Sequence, residues 1–287
     1  MSRTLLVRLA ATIFCLGAAY VAYTQGNPPP TLTIEKVKDD LYMVVGDGGN
    51  VAVYITNEGV ILVDDKFEQD HDQIVARVKS VTNQPIKYIL STHYHADHSG
   101  GNTKFTTEAE IISTRMAHDG IVQHKQASGA PNNMVAARVT FTDETDIFLG
   151  GKEVRAKYYG RGHTDGDAVI YFPALKLVHT GDLFTAAFPL IDYPGGGSIV
   201  EWPKTLDKVM NSLDFDTVIP GHGPVSKKSD LMTYRNNADT LRTRVQSQVR
   251  GGKSKDELAK FLQDEYKWGP QSLNIQWSLA GLMAELK

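Results

Sequence analysis

From residue 31 onward, apolar and polar positions alternate in short runs. Thr31–Val37 and Leu41–Val45 read as strands parted by the turn residues Asp39 and Asp40. Asp47 to Asn50 is a further turn. Val51–Thr56 and Val60–Val63 then pair as a hairpin across Asn57-Glu58-Gly59, so the chain opens as a β-meander. Between Phe67 and Val81 the period changes: Ile74, Val75, Val78 and Val81 recur at helical spacing and predict a helix laid on the sheet. The uninterrupted run Ile86–Leu90 predicts a buried strand, and strand, helix and strand together make a right-handed crossover.

The pattern then repeats with different lengths. A helix is predicted from Gly101 to Thr107, capped by Ser99 or Asn102. A short strand at 110–113, a helix at 115–126 and a loop at 128–133 follow. A second β run comprises 139–142, 145–149 and 153–159, with Gly150-Gly151 as a hairpin turn, and then 168–172 and 176–179 joined at Pro173-Ala174-Leu175. Val200–Leu213 is helical and 217–219 a buried strand. From Ser229 the helical period runs to the end, broken at Gly251-Gly252 and Trp268-Gly269-Pro270. Leu258, Phe261, Leu262, Trp277, Leu279, Leu282, Met283 and Leu286 fall at helical spacing and are expected to pack inward. Two β runs, each followed by helices, predict an α/β fold of two packed sheets with helices outside.

The first thirty residues break this pattern. Arg3 and Arg8 precede an uncharged apolar run to Tyr23, and Thr24 to Pro30 is polar and proline-rich. Residues 1–24 read as a signal peptide and 25–30 as a linker. Export to the periplasm or medium is expected, with an uncleaved membrane anchor as the alternative; the run is short for a full span. Formal net charge is −3, and Arg3 and Arg8 are the only charges in the first thirty residues, so the rest is more acidic still. An acidic body argues against nucleic acid as a partner and leaves a small-molecule substrate. Cys15 is the only cysteine, so any metal site in the exported body uses nitrogen and oxygen ligands.

Chemistry enters at Ser91-Thr-His93-Tyr-His95-Ala-Asp97-His98-Ser-Gly-Gly-Asn102, directly after the 86–90 strand. Three histidines and an aspartate within six residues, on a loop leaving a strand, predict metal binding. Three later polar groups also follow apolar runs beside glycine: His163 in Gly-Arg-Gly-His-Thr, Asp182 in His-Thr-Gly-Asp, and His222 in Pro-Gly-His-Gly. Taken singly, each has a plain alternative as a turn or cap residue. His179 reads as a core or supporting histidine, and His71, His118 and His124 as surface groups on helices. Tyr94, Phe184, Phe188, Tyr193 and Trp202 are either pocket lining or ordinary core. Gly195-Gly-Gly-Ser198 reads as a flexible loop on the metal side.

In this order the motifs resemble the metallo-β-lactamase fold superfamily over about residues 31–225, in its hydrolase branch rather than among the cysteine-containing lactamases. The resemblance implies an αββα four-layer sandwich at 31–228, with a helical extension at 229–287 packed on it. It also implies a two-metal site at one edge. His93, His95 and His163 would hold the first metal, Asp97, His98 and His222 the second, and Asp182 would bridge both, as in the glyoxalase II type of site. Asp64 and His179 would support the site, and Asp97 is the catalytic candidate. Two zinc ions are the expected cofactors, with manganese or iron open. The implied activity is a metal-dependent hydrolase whose di-metal hydroxide attacks an ester, lactone, thioester or amide bond, β-lactams included. A β-lactamase proper is an alternative, although Asp182 stands where the cysteine-type enzymes carry cysteine and no lysine follows nearby. A mononuclear iron persulfide dioxygenase and a silent binding protein are the others.

Overall fold

The structure is a computed structural model that describes residues 31–123, 133–187 and 189–287. The expectations placed on residues 1–30, His124 and Phe188 lie outside these. Among the described residues no helix is long and apolar enough to cross a membrane.

The opening meander forms as predicted. β1 (Thr33–Lys38), β2 (Leu41–Val45), β3 (Val51–Ile55) and β4 (Val60–Val63) pair antiparallel in sequence order. A single turn of tighter helix at Glu68–Asp70 leads into α1 (His71–Lys79), which buries Ile74 and Val78; the predicted helix therefore starts four residues late. β5 (Ile86–Leu90) returns parallel to β4, the crossover that the period change implied. Two short helices, α2 (Ala96–Ser99) and α3 (Asn102–Phe105), then precede β6 (Glu110–Thr114) and α4 (Arg115–Val122). Thr114 caps α4 by accepting from the Ala117 amide.

β7 (Val139–Phe141) corrects the sequence reading. It pairs parallel with β6 and closes the first sheet instead of opening the second. Three residues of alternation specify a strand but not its partner, which tertiary packing decides. The second sheet has the order β13-β12-β11-β10-β9-β8, from β8 (Glu144–Leu149), β9 (Lys152–Tyr158), β10 (Ala168–Phe172), β11 (Leu177–His179), β12 (Thr217–Ile219) and β13 (Ser226–Lys227). α5 (Trp202–Ser212) connects the parallel pair β11 and β12. The two-residue β13 was not visible in the sequence.

The sheets face one another across one core. Leu41, Met43, Tyr54, Ile61 and Leu90 of the first meet Ile147, Val154, Ile170, Phe172 and Ile219 of the second. Tyr54 and Phe172 pack edge to face with centroids 5.1 Å apart. α1 covers the outer face of the first sheet. α5, α6 (Lys228–Arg250), α7 (Lys255–Tyr266) and α8 (Leu273–Glu285) cover the second. Ser254 and Glu257 cap α7 reciprocally, and Ser272 caps α8. Leu231, Leu241, Leu258, Leu262 and Leu282 are fully buried on these last three helices, each stabilising by roughly 2 kcal/mol. The layers are thus helix, sheet, sheet, helix. The loops leaving β4, β5, β11 and β12 meet at one edge.

Candidate metal centre

That edge gathers all seven candidate ligands. His93 and His95 leave β5 on an extended loop, and Asp97 and His98 occupy the short α2, a turn of helix not anticipated inside the motif. His163 follows β9, Asp182 follows β11 and His222 follows β12. Three overlapping groups of side chains bring their donor atoms within 4.8 Å of one another: His93, His95 and His163; His93, His98 and Asp182; and Asp97, His98 and His222. Glycine permits this crowding at two points. A side chain at Gly49 would overlap the His98 ring, and one at Gly221 would overlap Asp182 Oδ1.

The outer atoms of these imidazoles set their tautomers. His163 Nδ1 donates to the Leu190 carbonyl at 2.6 Å, so its Nε2 is bare. Thr92 Oγ1 donates to Asp64 Oδ2 at 2.8 Å and so accepts from His93 Nδ1 at 3.1 Å, which leaves His93 Nε2 bare. His95 Nε2 lies 2.9 Å from Asp192 Oδ2, and Tyr94 donates its hydroxyl to the same oxygen. His98 Nδ1 donates to Asp64 Oδ2 at 2.8 Å.

Inside this ring, His95 Nδ1 sits 3.1 Å from His93 Nε2 and 2.9 Å from His163 Nε2. A proton on His95 Nδ1 satisfies at most one of the two bare nitrogens, whereas a cation satisfies all three. The spacing approaches the separation of about 3.3 Å expected between nitrogens on a tetrahedral zinc. Across the other two groups His98 Nε2 lies 3.3 Å from Asp182 Oδ1 and 3.2 Å from His222 Nε2, and His222 Nε2 lies 3.2 Å from Asp97 Oδ2. Among the described residues, buried Asp182 Oδ1 finds no well-aligned hydrogen-bond donor. A buried acceptor and several inward lone pairs fit bound cations.

Electrostatics separates individual imidazoles: burial opposes charge on His95, but its hydrogen bond to Asp192 and that carboxylate's charge raise its pKa. Burial, then neighbouring imidazoles, depress the pKa of His93 far below the usual range and bring His163 down to about 4. Burial opposes charge on His98 as well, but Asp182 and Asp97 outweigh it and raise its pKa well above normal. Burial would raise the Asp97 and Asp182 carboxyls, yet His98 and His222 hold both well below the ordinary carboxylate range.

Asp64 and His179 both lie buried beside the cluster. Asp64 is fully buried with φ +63°, and its carboxylate accepts from the Thr92 amide at 2.7 Å as well as from the groups above. His179 Nε2 donates to the Asn50 carbonyl at 3.0 Å and its Nδ1 accepts from the Gly181 amide, tying the Asp182 loop to the first sheet. His71 corrects the sequence reading: it is buried against Phe105 and hydrogen-bonded to Asp72 and Glu108. His118 is bonded to the Ala137 carbonyl. Phe184 and Trp202 belong to the core.

Sequence patterning assigns no site role to three residues that stand here. Asp192 lies just before the 195–198 loop that reads as flexible, and it is well anchored. Its amide donates to the His163 carbonyl, and its own acceptors take the Gly195 and Gly197 amides. Trp277 lies with its ring centroid 5.2 Å from that of His95. Lys66, fully buried with φ +58°, donates Nζ to the Asp47 carbonyl at 2.7 Å and to the Gly49 carbonyl. Burial lowers its pKa to about 8, against the opposing charges of Asp70 and Asp47. It pins the Gly49 backbone against His98. Lys66→Met should cost roughly 3 kcal/mol of stability by stranding two buried carbonyls and Asp70. Urea denaturation checks this, and a loss below about 1 kcal/mol would show that the lysine is dispensable.

Comparison with known proteins agrees with this architecture. The family model described as Metallo-beta-lactamase superfamily matches residues 44–222. A protein named metallo-beta-lactamase type 2 from Elizabethkingia meningoseptica is 26% identical over 215 residues, covering 69% of this chain and 81% of that protein. The alpha subunit of a 2,4-dinitroanisole O-demethylase from Nocardioides sp. (strain JS1661) is 23% identical over 196 residues, 67% of this chain and 58% of that one. The solved structure of a metallo-beta-lactamase from Pontibacter korlensis superposes with a TM-score of 0.64 at 20% identity, covering 72% of this chain and 99% of that chain. Such relatives suggest a metal-dependent hydrolase. The sequence match spans more than half of the chain and includes every candidate ligand, and the chain belongs to the metallo-beta-lactamase superfamily.

Proposed function

We propose that this protein is an exported metal-dependent hydrolase acting on a small molecule with an ester, lactone, thioester or amide bond, β-lactams included. The observation that carries the reading is the set of imidazoles whose outer nitrogens are committed to Asp64, Thr92, Asp192 and Leu190, leaving the inner ones to converge. His93, His95 and His163 would hold one zinc ion, Asp97, His98 and His222 a second, and Asp182 would lie between them. When bound, the two cations supply hydroxide at neutral pH and polarise a carbonyl oxygen.

The chain's own residues do the rest. Asp97 is ionised and partly exposed, so it can take a proton from an attacking water and return it to the leaving atom. His222 fixes the orientation of its carboxylate. Asp192 and the Leu190 carbonyl keep His95 and His163 aimed. Beneath them the buried Trp202, bonded through its indole N–H to the Leu183 carbonyl, excludes water from below.

A hydrolysis screen of the zinc-loaded protein across β-lactams, lactones, thioesters and phosphodiesters tests the activity. Native mass spectrometry beside it should find two metals per chain and fewer in His95→Ala. An unchanged metal count in that variant would defeat the assignment. One iron per chain with oxygen consumption on persulfides would replace hydrolysis with dioxygenation. The names of the lactamase relatives place β-lactams first in the screen.

A further inference from the structure

The family match stops at residue 222, so α6, α7 and α8 lie beyond it, yet α8 reaches the site. Asn274 Nδ2 donates to the Pro189 carbonyl at 3.2 Å. The Ser278 hydroxyl donates to the Ile191 carbonyl at 2.9 Å and accepts from the Ile191 amide at 3.3 Å. Glu285 accepts from Tyr193 at 2.7 Å and from the Ser198 hydroxyl. Gly281 lets the Tyr193 ring approach the helix closely, where any side chain would overlap it. α8 is therefore fastened along the 189–198 segment, the same segment that supplies Asp192 and the Leu190 carbonyl to His95 and His163. This fastening fixes where Trp277, one position before Ser278, can stand.

Trp277 differs from its helix neighbours Ser278, Leu279 and Leu282, which are buried. Its indole is partly exposed while packed at 43° against His95, itself nearly buried and part of the ligand cluster. A partly exposed aromatic side chain beside a candidate ligand is placed to border the space that a substrate would enter. It offers a flat, apolar face with no charge.

We propose that Trp277 is a specificity-determining residue, an apolar wall contributed by the C-terminal helix that selects substrates with an aromatic or bulky apolar group beside the scissile carbonyl. The proposal rests on the hydrolase reading. Ring-on-ring contact at such a wall is worth about tenfold in affinity.

Simple carboxylates stand in for the hydrolysis product and separate binding from turnover. Calorimetric titration of the zinc-loaded full chain should show phenylacetate binding about tenfold more tightly than acetate. Trp277→Ala should abolish this preference, Trp277→Phe should keep most of it, and acetate affinity and metal content should be the same in all three proteins. An equal preference in wild type and Trp277→Ala, or no preference in wild type, overturns the proposal. So does loss of metal or acetate binding in Trp277→Ala, which would make the indole a structural prop for His95. If no substrate in the screen turns over while the preference and its loss are both observed, the wall stands and the hydrolase reading falls.

Discussion

Asp97→Ala should lower turnover by about 10²- to 10⁴-fold while leaving the folded state close to wild type. The reasoning starts from its place at the second residue of α2, where its carboxylate is partly exposed and faces His222 Nε2 at 3.2 Å. No apolar packing depends on it, so its removal leaves no cavity in the core. What it supplies is a negative charge between two imidazoles and a proton acceptor at the mouth. Losing it removes one proposed ligand of the second metal and the proposed general base together. Turnover and metal count should therefore fall while the urea midpoint hardly moves. A midpoint that falls in step with turnover would show that Asp97 serves the fold.

The next largest effect is expected at Asp64, outside the ligand set. Its carboxylate takes hydrogen bonds from the Thr92 amide, the Thr92 hydroxyl and His98 Nδ1, and through Thr92 it also orients His93. One buried carboxylate thus aims an imidazole in each half of the site. Asparagine tolerates the left-handed backbone at φ +63° at least as well as aspartate, so Asp64→Asn isolates the lost charge and acceptors from backbone strain. The amide cannot accept all three hydrogen bonds. Metal affinity should fall by about 10- to 100-fold, read by competition with a chromogenic chelator. Wild-type affinity in this variant would show that backbone geometry alone aims the histidines.

The parts of the site legible in the sequence share one property. His93, His95, Asp97, His98, His163, Asp182 and His222 each follow an apolar strand-like run at a polar or glycine-bordered exit, and strand ends on one edge of a sandwich converge in space. The sheets themselves were legible because alternation and turn residues are local. β7 was placed with the wrong sheet because partner choice is not local. Asp192 escaped because its role depends on a glycine-rich loop folding back through hydrogen bonds to its own backbone. Lys66 escaped because a lysine after two aspartates looks like surface, and burial with two carbonyl acceptors is set by the 47–49 turn docking on it. Trp277 looked like one more core position on a helix, since helical spacing names a face but not what that face meets.

The origin of the ligands in both sheets has a consequence for assembly. His93, His95, Asp97 and His98 belong to the first sheet, and His163, Asp182 and His222 to the second. Neither half alone presents the complete nitrogen and oxygen set for either proposed cation. Closing the long chain loops between them costs conformational entropy that only the docked core between the sheets repays. A half-folded chain therefore cannot bring the proposed ligands together, and metal binding by the full set would register correct docking of the two halves.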